Sequence, residues 1–430
     1  MIKKIFDNSQ YRYVIANTLV SVISFGRNLL FMKTVNLAEL GQVAMMQTII
    51  LLVSFAQAGV LNGAYILFAE RKEQQDRQII SFLNLAAVVL FLVAGIGFTF
   101  GAGRLMAPLV TQETMILSVL AGIVTLISTW MNSALVAKRR LGLSNALSIA
   151  GAVASLGIAA FTKSYGIHAA LIALLVQPLI FVIIALGLEK NFRAISLQVE
   201  WRVIRETFAI GVMQFAAMLT LLLTYQVERW MIIYQLGPKA LGEFYLVMMY
   251  STFFLLIPAS LMNVHFPPAM KALQDGDGKR FWSIRKRHIT ELVTYGFVSF
   301  VLTATLLPTI VRHLAPQFNG SIYLVLLGFP AFYLYVLRDP PSLVLYSMKR
   351  TLPGLESGAA FVILYALLLA GAALLGRFSL GSVVVLRGVA VAVSTGFLYI
   401  RQRSYRADKY LLAMKGASSA LPEIDAQFDL

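Results

Sequence analysis

The feature that most limits this chain is a set of long apolar runs free of charge: residues 79–103 and 166–187, for example, contain no Asp, Glu, Lys or Arg. Coiled as a helix rising about 1.5 Å per residue, roughly 20 such residues cross a hydrocarbon core of about 30 Å. Lipid offers backbone groups no partner, so a spanning segment is either a helix or part of a closed barrel, and nothing here alternates as a barrel strand does. The runs predict an all-α polytopic membrane protein with about twelve spans, at residues 13–32, 42–69, 79–102, 113–137, 145–162, 167–187, 207–234, 242–263, 290–311, 321–345, 354–374 and 381–400. Apolar residues make up 59% of the 430 and charged ones 13%, against about 45–50% and about 25% in soluble domains. That balance excludes an ordinary soluble protein.

The formal charge of +16 would point to nucleic acid in a soluble chain, but in a membrane protein Lys and Arg of the cytoplasmic loops set orientation. The amino end, the loops at 70–78, 138–144, 188–206, 264–289 and 346–353, and the carboxyl tail hold 26 of the 36 basic residues, whereas the opposite loops hold only Lys33, Arg104, Lys163, Lys239, Arg312 and Arg377. Both termini are therefore expected in the cytoplasm, with no nucleic-acid partner. Lys3, Lys4 and Arg12 precede a long apolar stretch with no small-residue cleavage site, which reads as a retained signal anchor. There is no cysteine, so disulfides and thiolate metal sites are excluded.

An internal repeat is visible at an offset of 201. Leu40-Gly41 opens the second span and Leu241-Gly242 the eighth, and Asn62 pairs with Asn263 at the same offset. Spans six helices apart share one orientation, so the repeat is parallel, about an axis along the membrane normal. The expected organisation is an N-terminal six-helix lobe (1–187), a cytoplasmic linker (188–206), a C-terminal six-helix lobe (207–400) and a cytoplasmic tail (401–430).

Catalytic constellations are not found. The four histidines, His168, His265, His288 and His313, fall at span ends or in loops without metal-ligand spacing, which suits partly solvated interfacial residues. There is no phosphate-binding GxxxxGK[ST] loop, and the external loops, about ten residues or shorter, are too small for a catalytic domain. Asp275-Gly-Asp277 reads as a turn.

The informative residues are ionisable groups inside spans, each costing about 2.5–3.5 kcal/mol or more at a helix centre unless paired or facing water. Arg27 lies deep in the first span and Arg387 seven residues below the outer end of the last. Either they line an aqueous cavity, where guanidinium forks hold phosphate oxygens bidentately, or they snorkel to headgroups. Arg229, beside Glu228 near the end of the seventh span, is expected at the rim. Arg338-Asp339-Pro340-Pro341 contains the only aspartate inside a span. The prolines break the helix or start a new one. Asp339 is then either an N-cap offset by Arg338 or a protonatable coupling site, with Glu228 a weaker candidate. Gln57, Asn62, Asn132, Gln177 and Gln214 suit a sugar-compatible cavity or interhelical hydrogen bonds equally, and Gly26, Gly59 and Gly151 suit close helix approach or bending.

Several stretches, in order across residues 10–410, resemble the polysaccharide-export branch of the multidrug/oligosaccharidyl-lipid/polysaccharide (MOP) exporter superfamily, the Wzx-type O-antigen flippases: Asn36-Leu-Ala-Glu-Leu-Gly41, Ala137-Lys-Arg-Arg140, Tyr165-Gly-Ile-His-Ala-Ala170, Leu236-Gly-Pro-Lys-Ala-Leu-Gly242 and Phe266-Pro-Pro268. The resemblance implies two lobes forming a V around a cationic cavity through which an undecaprenyl-diphosphate-linked oligosaccharide passes between leaflets of a bacterial inner membrane. It implies no catalytic residue, no cofactor beyond a coupling ion such as H+ or Na+, and membrane lipids and polysaccharide assembly proteins as partners. A drug/cation antiporter of the same superfamily would hold acids in its cavity, and the first six spans contain no acid beyond Glu113 at the first position of the fourth, so none is membrane-embedded. A membrane glycosyltransferase or polymerase would carry large external loops.

The orientation is testable because the chain has no native thiol: a cysteine placed at Asp277 should react with an impermeant maleimide only after the membrane is opened. Labelling from outside intact cells would reverse the topology.

Overall fold

The computed structural model describes residues 9–54, 110–138, 140–193, 201–348 and 350–405, with scattered positions between 59 and 93. Most of the third span, the end of the second, Gln57, Asn62, part of the 188–206 linker and the tail beyond 405 lie outside the described residues, as does the side chain of Gln214. Every regular element described is helical: α1 (Ser9–Thr34), α2 (Leu37–Ser54), α3 (Gln112–Ala137), α4 (Leu141–Ala159), α5 (Thr162–Leu188), α6 (Trp201–Gln274), α7 (Gly278–Leu314), α8 (Ile322–Val336), α9 (Asp339–Ser347), α10 (Leu352–Leu374) and α11 (Leu380–Ser404), with 3-10 turns at Lys190–Arg193 and Pro316–Ser321. Among the described residues ten helical stretches are long and apolar enough to cross a membrane. The chain is a multi-pass, all-α membrane protein.

Local chemistry explains the punctuation. Thr111 caps α3 by accepting from the Thr114 N–H, and Ser379 with Ser382 forms a reciprocal capping box on α11. The long α6 is interrupted at Gly237, where φ 82° and ψ 177° end one arm and Pro238 begins the next. Asp275–Asp277 is a tight turn with Gly276 at φ 68°, and the Asp277 carboxylate accepts from the Arg280 N–H to start α7. The tenth predicted span is split into α8 and α9, as the paired prolines require.

Contacts group the chain into two compact units, Met1–Met249 with Val311–Ser321, and Tyr250–Ile310 with Ile322–Leu430. The first has a core around Trp130, which meets Phe192 edge-on at 5.3 Å, with Met131, Leu135, Leu147 and Phe181. Its helices approach closely where side chains are small. A Cβ on Gly151 of α4 would lie 2.4 Å from the Gln177 carbonyl oxygen of α5, and Ser155 Oγ, one turn on, donates to the Ala173 carbonyl at 2.5 Å. A Cβ on Gly59 would lie 3.0 Å from the Gly211 carbonyl oxygen, whereas Gly26, also a candidate for close approach, has nothing within 4 Å of a built Cβ.

The same unit contains the glycines of the repeat. A Cβ on Gly41 would sit 1.9 Å from the Pro238 carbonyl oxygen, and one on Gly242 would sit 1.7 Å from that of Leu37. Positions 37 and 238 are separated by the same 201 residues as 41 and 242, so the two helix starts cross reciprocally.

The second unit is organised around Phe254, whose ring meets Tyr295 at 5.1 Å and Phe329 at 5.4 Å. Here the structure corrects the expectation of partly solvated histidines. His265 and His288 are buried, with ring centroids 5.1 Å apart, and His265 Nε2 lies 2.6 Å from Glu291 Oε2. They are 23 positions apart in sequence, and only the antiparallel pairing of α6 and α7 across the 275–277 turn brings them together.

The two glycine environments make opposite demands. Gly151→Ala should lower the thermal stability of the purified protein by about 1–3 kcal/mol, because a carbonyl occupies the space. Gly26→Ala should be neutral or stabilise by up to about 1 kcal/mol, because a helix gains by losing a glycine where space is open. Equal midpoints for the two variants would contradict the α4–α5 packing.

Candidate functional site

Arg27 is on α1, seven residues before its end, hence about 10 Å from that end, and is only 7% exposed. A guanidinium at that depth needs hydrogen-bond partners. One nitrogen, Nη1, donates to Gln177 Oε1 at 2.5 Å and to Ser155 Oγ at 3.0 Å, and the group lies 5.8 Å from the Phe31 ring centre. The close α4–α5 packing at Gly151 sets both acceptors in place.

Arg27 lines a cavity of about 430 Å³ inside the first unit, within the range of small-ligand pockets. Its polar wall comes from Gln47, Thr125, Ser128, Thr129, Asn132, Ser148 and Gln177, and its apolar wall from Val20, Ile50, Leu174, Pro178 and Phe181. Pro178 has no N–H, so the carbonyl of Leu174 on this wall has no donor from the following helical turn and remains a potential acceptor. Among the described lining residues there is one guanidinium and no carboxylate. Both acceptors on Arg27 are neutral, so its charge is solvated by dipoles and not cancelled. The wall offers hydroxyls and amides at close spacing around one positive centre, an arrangement that suits a polyhydroxylated anion.

Two flanking residues, Gln47 and Tyr245, were not marked by the sequence. Tyr245 is fully buried and its hydroxyl accepts from Gln47 Nε2 at 3.2 Å. No local pattern identifies the pair, since its members lie 198 residues apart on different helices.

The remaining candidates are distributed. Arg229, expected to reach outward at the rim, instead donates from Nη1 to Thr48 Oγ1 at 3.2 Å, and Glu228 beside it is wholly buried. The reason is that Thr48 is a buried residue of α2, so the side chain finds its partner inside the protein. Arg387, 6% exposed, belongs to the second unit, where its guanidinium lies 5.3 Å from the Phe332 ring centre. Arg338 donates to Ser357 Oγ at 3.0 Å, which itself donates to the Ser394 carbonyl, and lies 5.2 Å from the Tyr335 ring centre. The N-cap of α9 is Arg338, without a side-chain cap bond, and Asp339 is the first helical residue. This corrects the reading of Asp339 as an N-cap. Counted from Arg338, the N2 and N3 residues are Pro340 and Pro341, which have no N–H for a capping side chain to bind.

No family model and no curated protein matches the chain. Solved structures do. An inward-facing multidrug resistance MATE family transporter of the MOP superfamily superposes with a TM-score of 0.70 at 11% identity, over 93% of this chain and 96% of that one. The lipid II flippase MurJ, in an inward closed conformation, gives 0.71 at 12% identity, over 96% and 93%. A MOP superfamily transporter from Pyrococcus furiosus, whose binding pocket is described as of reversed polarity, gives 0.60 at 11% identity, over 94% of each chain. With nearly the whole length matched in each case, the chain has the fold of MOP superfamily transporters.

Proposed function

We propose that the protein is a flippase that moves an undecaprenyl-diphosphate-linked oligosaccharide, an O-antigen or related repeat unit, from the cytoplasmic to the periplasmic leaflet of a bacterial inner membrane by alternating access. The observation that carries this reading is the composition of the Arg27 cavity, one uncancelled guanidinium among hydroxyls and amides. A diphosphate needs charge-assisted donors, and a glycan needs dense neutral hydrogen bonding. The sequence resemblance to the Wzx-type branch supports the same substrate class. So does a fold shared with a lipid II flippase.

In this reading Arg27 of the 1–187 lobe binds substrate, with Arg229 and Arg387 of the 207–400 lobe as further substrate-binding arginines. Asp339 beside Arg338, or Glu228, carries the coupling H+ or Na+. Membrane lipids and polysaccharide assembly proteins are the partners.

A drug/cation antiporter is the second reading, because the fold is equally that of a multidrug transporter. A cation-binding cavity would be expected to hold a carboxylate, and the absence of one among the described lining residues favours the flippase.

Deletion of the gene should leave lipid-linked oligosaccharide accumulated in the cytoplasmic leaflet with its assembly intact. Normal surface glycan together with raised sensitivity to cationic dyes would instead establish the antiporter.

Arg27→Ala should lower glycan export on the order of 10–100-fold, since a charge-assisted hydrogen bond is worth about 1.5–3 kcal/mol. Arg27→Lys should recover part of the loss, keeping the charge without the planar fork. Protein levels in the membrane must be matched, because removing a buried charge also perturbs folding. Full export by Arg27→Ala at normal levels would remove this residue from the substrate path.

A further inference from the structure

The reciprocal glycine crossing, within the first unit, connects to the cavity and to a distant segment of the chain. Where α2 starts and the second arm of α6 starts, backbone meets backbone: Gly41 against the Pro238 carbonyl, Gly242 against that of Leu37. No side chain interlocks at these two points, and carbonyl contacts of this type are individually weak. Such a contact is close enough to exclude water yet separates without any rotamer change.

A second element holds the same end. Gln317, in the 3-10 turn Pro316–Ser321, donates from its amide nitrogen to the carbonyls of Met32 and Val35, at 2.5 and 3.0 Å. These are carbonyls at the C-terminal end of α1, where helix geometry leaves acceptors without partners, so the bonds form and break at no expense to the helix. More than 280 residues separate donor from acceptors.

A third observation ties this end to the cavity. Gln47 lies six residues beyond Gly41 on α2, about 9 Å along the axis. It lines the cavity and donates to Tyr245, three residues beyond Gly242. The two helices are thus joined at the crossing and again at the cavity wall. A ligand that recruits the Gln47 amide competes with Tyr245 for the bond that joins the two helices.

We infer that the crossing of Gly41 and Gly242 is a gate closing one end of the transport path, that Gln317 is its latch and that Gly237 is its hinge. The inference rests on the transporter reading above. Gly237, at φ 82° with nothing within 4 Å of a built Cβ, supplies a point where the second arm can turn. The Gln47–Tyr245 bond is the connection by which cavity occupancy reaches the gate.

The test uses the absence of native cysteine. Cysteines at Ala38 and Lys239, exposed positions that flank the crossing and correspond in the repeat, are joined by a short bifunctional methanethiosulfonate in cells whose surface glycan is measured. Joining should abolish export and reduction should restore it; export unaffected by complete joining would overturn the gate. If neither the unmodified double-cysteine variant nor the parent supports export, the flippase reading fails, and a readout independent of substrate decides the gate. Spin labels at the same positions in liposomes should give a short and a long distance population. Gln317→Ala should shift their ratio toward the long one by roughly tenfold, as expected for two lost hydrogen bonds. A single short distance, unchanged by Gln317→Ala, would overturn the gate whatever the substrate.

Discussion

A bilayer interior gives the backbone N–H and C=O groups no partner outside the chain, and every other feature of this protein follows from that constraint. Once each span must satisfy itself as a helix, helix ends become the places where choices are made. Here those ends carry the caps at Thr111 and Ser379, the left-handed glycine at 237 and the paired prolines at 340 and 341. Lipid supplies no hydrophobic drive between helices, so association depends on close packing and on a few polar contacts. Gly151 against the Gln177 carbonyl, with Ser155 bonded to Ala173 one turn away, shows both at one interface.

The candidate site is a by-product of that interface. Drawing α4 against α5 places Ser155 and Gln177 where the guanidinium of Arg27 needs acceptors, and the proline at 178 leaves the Leu174 carbonyl on the same wall without its usual helical donor. Because these partners are neutral, burial is tolerated without cancelling the charge. A carboxylate partner would have made an equally well-bonded arginine with little attraction left for an anion. The distinction between a structural and a substrate-facing arginine therefore lies in the partner's charge more than in depth.

Arg229 illustrates the converse. Depth and position predicted a rim residue, but a buried threonine on α2 turns the side chain inward. His265 and His288 were also expected at a wet interface, and the α6–α7 hairpin buries them. In each case the deciding neighbour is far away in sequence, so no periodicity could announce it.

By itself the sequence determined the helical class, most span positions, the skew of basic residues toward alternate loops and the glycine pair at an offset of 201. These are legible because each arises from a local or periodic requirement: hydrocarbon solubility along a run, an N–H missing at proline, a Cβ missing at glycine. Only the tertiary structure decided which polar groups meet. The acceptors of Arg27 are 128 and 150 residues away, and the acceptors of Gln317 more than 280. A hydrogen bond of that span depends on how helices are rotated and how closely they approach, and those are properties of packing that no single segment encodes.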